Sequence, residues 1–252
     1  MAILTTAFDA SMEEPSKRFL VMAGFVSDAE TWKEFDSAWR ARLADDGIPY
    51  FHMNPFAMRQ LHFRGWSEDR RRELLGDLLG IISSNVYYKF GIVVEAEAMH
   101  DLRSIFKDRN IAMLEVAGSM MTIEVEQWRI RNNYRNPAEH VFEDGDFGKG
   151  RLCNAVKAAT GKTPSFRSKK DIPEQDIIGF TPLQASDILA YEIKKAVTHA
   201  SFANGKVPRD YAFRFPYQEL NRILGQPHMW NQNSSSDMAE LDRYFKAGVK
   251  VL

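Results

Sequence analysis

The stretch Thr181-Pro182-Leu183-Gln184-Ala185-Ser186-Asp187-Ile188-Leu189-Ala190-Tyr191-Glu192 sets one carboxylate, Asp187, in the second turn of an amphipathic helix. Two further acids stand where strand-like apolar runs end. Asp9 follows Ala2-Ile3-Leu4-Thr5-Thr6-Ala7-Phe8, and Glu143 follows His140-Val141-Phe142, with Asp144 beside it as the alternative. Carboxylates that meet at one point repel one another unless a cation or a proton neutralises them, and clusters of oxygen ligands are what hard cations prefer. The chemistry therefore turns on whether these acids meet. Taken singly, each has a plainer explanation. Asp187 can lie on a solvated helix face, since acidic residues are mostly exposed. Asp9 can open the turn after its strand. Glu143-Asp144-Gly145-Asp146 can be a solvated turn, because its spacing lacks the full calcium loop with a terminal Glu.

The helix that carries Asp187 is well marked. Thr181 can cap it, Pro182 suits the first helical position, and Gln184 stands where a capping box takes Glu or Gln. Ala185, Ile188, Leu189, Ile193, Ala196 and Val197 form an apolar stripe, while Gln184, Asp187, Tyr191 and Lys194 or Lys195 line another face. Asp is a poor helix-interior residue, because its short carboxylate competes for local backbone hydrogen bonds.

The other acids need strands to position them. Ala2–Phe8 reads as a short strand delivering Asp9 to its end, and a polar turn with Glu13, Glu14, Pro15 and Ser16 leads to a second strand, Arg18–Val26. That second run is almost continuously apolar, as in a strand buried on both faces, and the short connection favours an antiparallel hairpin. Ser27 and Glu30 make a capping box for a helix with Trp32, Phe35, Trp39 and Leu43 on one side. Tyr50-Phe51-His52-Met53 is a short apolar piece ended by Pro55, and a second helix starts near Ser67 with Leu74, Leu75, Leu78, Leu79 and Ile82. Val86–Val94 is a third strand, rich in β-branched and aromatic residues. A helical pattern from about Glu97 to Asn132, broken near Asp108, becomes apolar on several faces, as expected of a helix packed on the sheet. His140–Glu143 is the fourth strand, and a helix with Leu152, Ala155, Val156 and Ala159 ends at Gly161. A basic loop with Lys162, Arg167, Lys169 and Lys170 precedes a fifth strand near Ile177–Phe180. After the Asp187 helix come a helix over Pro216–Leu224 and a last one over about Asp237–Phe245, separated by the short polar patch Gln232–Ser236.

No internal repeat or linker interrupts the chain, so one domain over residues 1–252 is expected, with a helical insertion at about 28–84 and a C-terminal helical extension at about 205–252. Without the insertion the element order is β-β-β-α-β-α-β-α. Three meandering strands followed by right-handed crossovers give an α/β mixed five-stranded sheet flanked by helices. That is the element order of the ribonuclease H-like fold.

Composition narrows the partners. The 252 residues are 44% hydrophobic and 12% aromatic, which supports a globular core rather than disorder. Lys and Arg number 33 against 34 Asp and Glu, a net charge of -1, so no global field draws the chain to nucleic acid or an anionic membrane. The single Cys153 excludes an intrachain disulfide framework and a Cys-rich zinc site, and its neighbours Leu152 and Val156 suggest a small buried side chain. The N-terminus lacks the pattern of a signal peptide and no stretch reaches membrane-spanning length without charges, so a cytoplasmic protein without a membrane partner is expected.

Several residues together resemble the DUF3800 family, bacterial and phage-associated proteins grouped with the ribonuclease H-like superfamily. Leu183-Gln184-Ala185-Ser186-Asp187-Ile188-Leu189-Ala190-Tyr191 matches its C-terminal Leu-Gln-x-Ala-Asp-x-x-Ala-Tyr signature, with Ser186 replacing the usual Ala. Asp9-Ala10-Ser11-Met12 matches its Asp-Glu-Ser-Gly at the Asp and Ser only. Phe19–Val26 with Trp32, the element Phe51-His52-Met53, and Glu143 follow further family features, so the resemblance runs from about residue 3 to 200.

That resemblance implies that Asp9, Glu143 and Asp187 converge as the metal ligands and catalytic acids of a nuclease, the first and fourth strands lying parallel and the Asp187 helix crossing their carboxyl ends. Oxygen-only ligands suit Mg²⁺ or Mn²⁺ better than zinc. The reaction implied is phosphodiester hydrolysis on a nucleic acid, in phage defence or mobile-element biology. Gln184 and His52 would position the acids or the substrate. The alternative is a noncatalytic interaction or sensor protein with a degenerate site, since Ala10 and Met12 depart from the motif; a protein partner or a homo-oligomer would then be its business. The aromatics Tyr211, Phe213, Phe215 and Tyr217 could form its contact surface or pack on the core.

Other signals are weak. Lys162, Arg167, Lys169 and Lys170 can contact a phosphate backbone, or can simply be solvated, and Phe166 is the one ring among them. Thr160-Gly161-Lys162-Thr163 is no phosphate loop, because Val156 stands where its first Gly belongs. The remaining His residues show no metal-ligand spacing, and no Gly-x-Ser-x-Gly elbow occurs.

Overall fold

Phe8 lies beside Phe142, and that register organises the molecule: it joins two strands far apart in sequence as parallel neighbours. In the computed structural model, residues 3–97, 99, 112–145, 148–202, 216, 218, 219 and 228–231 are described. Strand β1 (Leu4–Met12) pairs antiparallel with β2 (Phe19–Asp28), and β2 pairs antiparallel with β3 (Tyr88–Glu95). On its other side β1 runs parallel to β4 (Glu139–Glu143), which runs parallel to β5 (Ser165–Arg167). A short β6 (His228–Asn231) adds parallel to β3, giving the order β5-β4-β1-β2-β3-β6. The first five strands thus lie in the order and directions of a ribonuclease H-like sheet, with helices on both faces.

One face carries α1 (Ala29–Asp45), α2 (Met53–Ala57), α3 (Glu68–Asn85) and α6 (Pro182–Phe202). Their buried residues, among them Trp32, Phe35, Trp39, Phe56, Leu74, Leu78, Ile188 and Leu189, pack with Val21, Ala23 and Phe25 of β2. The opposite face carries α4 (Met113–Arg131) and α5 (Lys149–Thr160), whose Ala117, Met121, Val125, Leu152 and Val156 pack on Leu4, Phe8, Met22 and Phe142. The two-sided burial explains why β2 and β3 read as continuous apolar runs. Ser67 caps α3 by accepting from the Arg70 N–H, and Gly161 ends α5 at a positive φ of 73°, both as the sequence suggests.

The structure corrects several local readings. β1 does not end at Asp9 but runs on to Met12, because residues 9–12 keep pairing with β2 after β4 has ended. The cap of α1 is Asp28, the last residue of β2, which accepts from the Thr31 N–H; Ser27, opposite Thr5, lies one residue further inside the strand. The fifth strand is Ser165–Arg167, inside the expected basic loop. Ile177–Phe180 is no strand: Ile177 makes an isolated bridge to Ile172, and Ile178 is 70% exposed. Three residues suffice for an edge strand with one ring, Phe166, to set against Phe142, so no apolar run announced it. Cys153 is half-buried rather than in the core. The expected break near Asp108, the helices over Pro216–Leu224 and Asp237–Phe245, the C-terminal extension as a whole, the Gln232–Ser236 patch and Asp146 lie wholly or largely outside the described residues. So do Tyr211, Phe213, Phe215 and Tyr217. Among the described residues no helix is long and apolar enough to cross a membrane.

A candidate carboxylate–lysine centre

Strands β4 and β5 end level with Asp9 of β1, and each of these three parallel strands brings one polar side chain to that place. Because Phe8 pairs with Phe142, the next residues, Asp9 and Glu143, emerge side by side on the same face. Glu143 pairs in turn with Arg167, so the chain leaving β5 brings Lys169 to the same edge two residues later. Helix α6 supplies the fourth group. Ser186 donates to the carbonyl of Ala7 at 2.8 Å and clamps the helix onto β1, two residues before Asp9, so the adjacent Asp187 faces the strand ends.

The four groups meet. Lys169 Nζ lies 2.9 Å from Glu143 Oε2, 3.3 Å from Asp187 Oδ1 and 3.6 Å from Asp9 Oδ1. Asp9 and Asp187 are buried, and the Lys169 side chain is only 12% exposed. The solvated-face reading of Asp187 therefore fails: the whole Gln184, Asp187 and Tyr191 row of α6 is buried. This row packs under α1 and α2, where the sequence pattern of a one-sided helix gave no sign of a second covering layer.

Asp187 is held from several directions. His52 Nδ1 lies 3.0 Å from both its carboxylate oxygens, and the Met53 N–H donates to Oδ2 at 2.6 Å. Burial alone would raise its pKa, but the hydrogen bond from His52, the charge of Lys169 and the Met53 N–H together hold it down at about 2. Asp9 is pushed the other way. Burial drives its pKa well above the usual range; Lys169 opposes this in part, while a hydrogen bond to Glu143 and the charges of Asp187 and Glu143 add to it. Burial disfavours the ammonium of Lys169, yet Asp9, Asp187 and Glu143 outweigh it and raise its pKa. The centre is thus a charged lysine among three acids, of which Asp187 is firmly ionised and Asp9 most readily holds a proton.

Gln184 makes no capping box. Its side chain turns inward, where Oε1 accepts from Trp39 Nε1 at 2.9 Å and from the Phe51 N–H at 2.7 Å, and Nε2 donates to the Lys169 carbonyl at 2.6 Å. At 2% exposure it is out of reach of a substrate and instead ties together α1, the chain before His52 and the backbone of Lys169. Thr181 likewise spends its hydroxyl on Asp36 at 2.6 Å. Asp144, the alternative second acid, faces outward and pairs with Lys149 at 2.7 Å, so Glu143 is the acid that joins the centre.

Lys169 and Lys170, read from the sequence as a pair of phosphate contacts, part company. Lys169 turns inward onto the acids. Lys170 stays outside, its Nζ 5.5 Å from the ring centre of Tyr50. Beside the centre lies a cavity of about 510 Å³ lined by Tyr50, His52, Glu143, Asp144, Lys169 and Lys170, among others. The sequence reading passed over Lys169 as the partner of the acids and Tyr50 as a wall of the cavity. The available signal was that Ser168-Lys169-Lys170 follows directly on a strand ending level with Glu143, and only the register reveals that.

The donor set suits a hard divalent cation, being all carboxylate oxygen, and a positive charge already sits at its focus. The acids keep ion-pair distances of 2.9–3.6 Å from an ammonium, and among the described residues no group of three or more His, Cys, Asp or Glu side chains has metal-holding spacing as it stands. Asp9, Glu143 and Asp187 offer the oxygen donors such a cation takes, with the Lys169 ammonium standing among them.

No protein-family model matches the sequence, and no curated protein sequence matches it. Solved structures similar to the chain include ribonuclease H2 from Pyrococcus horikoshii OT3, at 12% identity and a TM-score of 0.43, covering 97% of this chain and all of that one. Ribonuclease HII from Archaeoglobus fulgidus, solved in complex with PCNA, aligns at 13% identity and a TM-score of 0.44, over 93% of this chain and all of that one. Bst-RNase HIII, solved with Mn²⁺, aligns at 10% identity and a TM-score of 0.39, over 87% of this chain and 61% of that one. The fold assignment rests on strand order and register.

Proposed function

We propose that this protein is a phosphodiester hydrolase acting on nucleic acid at the Asp9, Glu143 and Asp187 centre with a divalent cation, Mg²⁺ or Mn²⁺. The observation that carries the reading is the meeting of three carboxylates at the carboxyl edge of β1 and β4, around a single positive charge. Burying two acids beside a third is costly, and a fold that needed only stability would have little reason to do it. The resemblance of Leu183–Tyr191 to the DUF3800 signature supports the same reading, since Asp187 is the acid of that signature.

Asp9, Glu143 and Asp187 would hold the cation. A cation of this kind lowers the pKa of a bound water and stabilises charge on phosphoryl oxygens. The chain's own groups do the rest. His52 and the Met53 N–H keep Asp187 ionised and aimed. Asp9 and Glu143 share a hydrogen bond through which a proton can be held at the Asp9 carboxyl. The adjoining cavity offers Lys170 to a phosphate and the Tyr50 ring to a base, a combination suited to a nucleic-acid strand.

The test is cleavage of labelled single- and double-stranded DNA and RNA in Mn²⁺, comparing the native chain with Asp187→Asn. Cleavage lost in the variant supports the reading. Equal cleavage by both, or none by the native chain across these substrates, rejects it.

The position of Lys169 favours a second reading. An ammonium that permanently neutralises the acids would suit a noncatalytic interaction or sensor protein, and such a chain would bind no Mn²⁺ at this centre.

A further inference from the structure

Lys169 is an unusual occupant of a carboxylate centre, because its backbone is fastened while its side chain borders open space. Its carbonyl accepts from Gln184 Nε2 at 2.6 Å. The Ser168 carbonyl accepts from the Phe180 N–H at 2.8 Å, and the Ser168 hydroxyl bonds both the N–H and the carbonyl of Lys170. Two residues on, Asp171 accepts from Arg40 Nη1 at 2.9 Å and from the Gly179 N–H at 2.8 Å, and Arg40 also holds the Gly179 carbonyl and Asp36. The loop at Gly179 approaches so closely that a Cβ there would meet the backbone of Lys170. These bonds leave no slack for the main chain from 168 to 171 to retreat. The side chain is different: it lines the cavity of about 510 Å³ beside the centre, so open space adjoins it.

Charge makes the same point. Three carboxylates lie within ion-pair distance of one ammonium, and one of them, Asp187, also meets an imidazole. Without the ammonium the acids would repel and splay; with an ammonium and a divalent cation both at the focus, the two cations would repel at closer than about 4 Å. One of them must leave, and the fastened backbone means that only the lysine side chain can.

Building on the proposed hydrolase reading, we infer that Lys169 is a placeholder that positions the acids. Its ammonium keeps Asp9, Glu143 and Asp187 gathered while no divalent cation is bound, and it yields the focus by turning into the adjacent cavity when one arrives. The side chain therefore sets how much divalent cation the centre needs, independently of any chemical step.

The experiment measures Mn²⁺ binding directly, by the electron paramagnetic resonance signal of free Mn²⁺, in the full chain and in Lys169→Met and Lys169→Arg. Melting curves with and without Mn²⁺ accompany it. Lys169→Met is expected to bind Mn²⁺ at least about tenfold more tightly than the native chain, because a competing charge is gone. It should melt lower than the native chain without Mn²⁺ and gain more from its addition. Lys169→Arg, with its charge kept, should bind no more tightly than the native chain, which separates loss of charge from loss of packing. Mn²⁺ affinity unchanged or weakened in Lys169→Met overturns the placeholder while leaving the hydrolase reading intact. Absence of Mn²⁺ binding in the native chain and in both variants overturns the two together.

Discussion

His52 Nδ1 stands 3.0 Å from both carboxylate oxygens of Asp187, across a separation of 135 residues in the chain. The contact places a carboxylate of α6 at the start of α2, a helix whose own N-cap residue, His52, provides no side-chain cap. Asp187 therefore has a structural duty toward the Met53 N–H as well as a place in the acid centre. The two duties separate by mutation. His52→Ala should leave the fold within about 1 kcal/mol of the native stability, as for a partly exposed pair. It should weaken Mn²⁺ binding and cleavage by roughly 10–100-fold, the usual cost of losing a group that orients a metal-binding carboxylate. Urea unfolding and Mn²⁺ titration of one preparation check both halves.

Gln184 is expected to be among the most costly side chains to lose. Gln184→Leu fills similar space but strands Trp39 Nε1, the Phe51 N–H and the Lys169 carbonyl in the interior. A destabilisation of roughly 3–9 kcal/mol is expected, from about 1–3 kcal/mol for each of the three unsatisfied buried groups. Denaturant midpoints with an unchanged slope would show it; a loss below about 1 kcal/mol would mean that water or a rearranged neighbour replaces the amide.

His140 should make the fold sensitive to mild acid. It is buried with Nδ1 3.1 Å from the Thr6 hydroxyl, and burial, assisted by Lys162, lowers its pKa from 6.5 to about 3. A depressed pKa means that the unfolded chain takes up the proton first. Its contribution to stability is thus full above pH 6.5 and lost as pH falls toward 3, at up to about 1.4 kcal/mol per pH unit. His140→Asn should flatten the stability–pH curve in that window, measured by urea unfolding at a series of pH values. An unchanged slope would place the acid sensitivity elsewhere.

Asp9 and Asp187 should show opposite pH signatures in metal-free protein. The pKa of Asp187 is depressed to about 2, so it contributes stability above about 3.8 that disappears as pH falls toward 2. Asp187→Asn should therefore be destabilising at neutral pH and progressively less so in acid. The pKa of Asp9 is raised, so its contribution is present below 3.8 and is lost as pH rises through its folded value. Asp9→Asn should compare better with the native chain at pH 8 than at pH 4. Parallel curves for the two variants would refute the assignment of charge within the centre.

Much of the scaffold could be read from the chain because periodicity records local burial. The core stripes of α1 and α3, the cap at Ser67, the stop at Gly161 and the apolar β2 and β3 all appear where their patterns put them. Asp9, Glu143 and Asp187 stood out because each follows or interrupts such a pattern. The fifth strand did not stand out, because three residues with one half-buried ring leave no periodicity to detect.

The sequence by itself determined the first four strands and the helices between them, and picked out Asp9, Glu143 and Asp187, since those depend on residues close together in the chain. Tertiary structure alone decided which charge the acids surround. That choice depends on the register of Phe8 against Phe142 and of Glu143 against Arg167, on a Ser186 bond to β1, and on Gln184 holding the Lys169 backbone in place. A lysine in a basic loop reads as solvated because its long side chain can point anywhere. Only the meeting of three carboxylates in a buried place gives it a single direction.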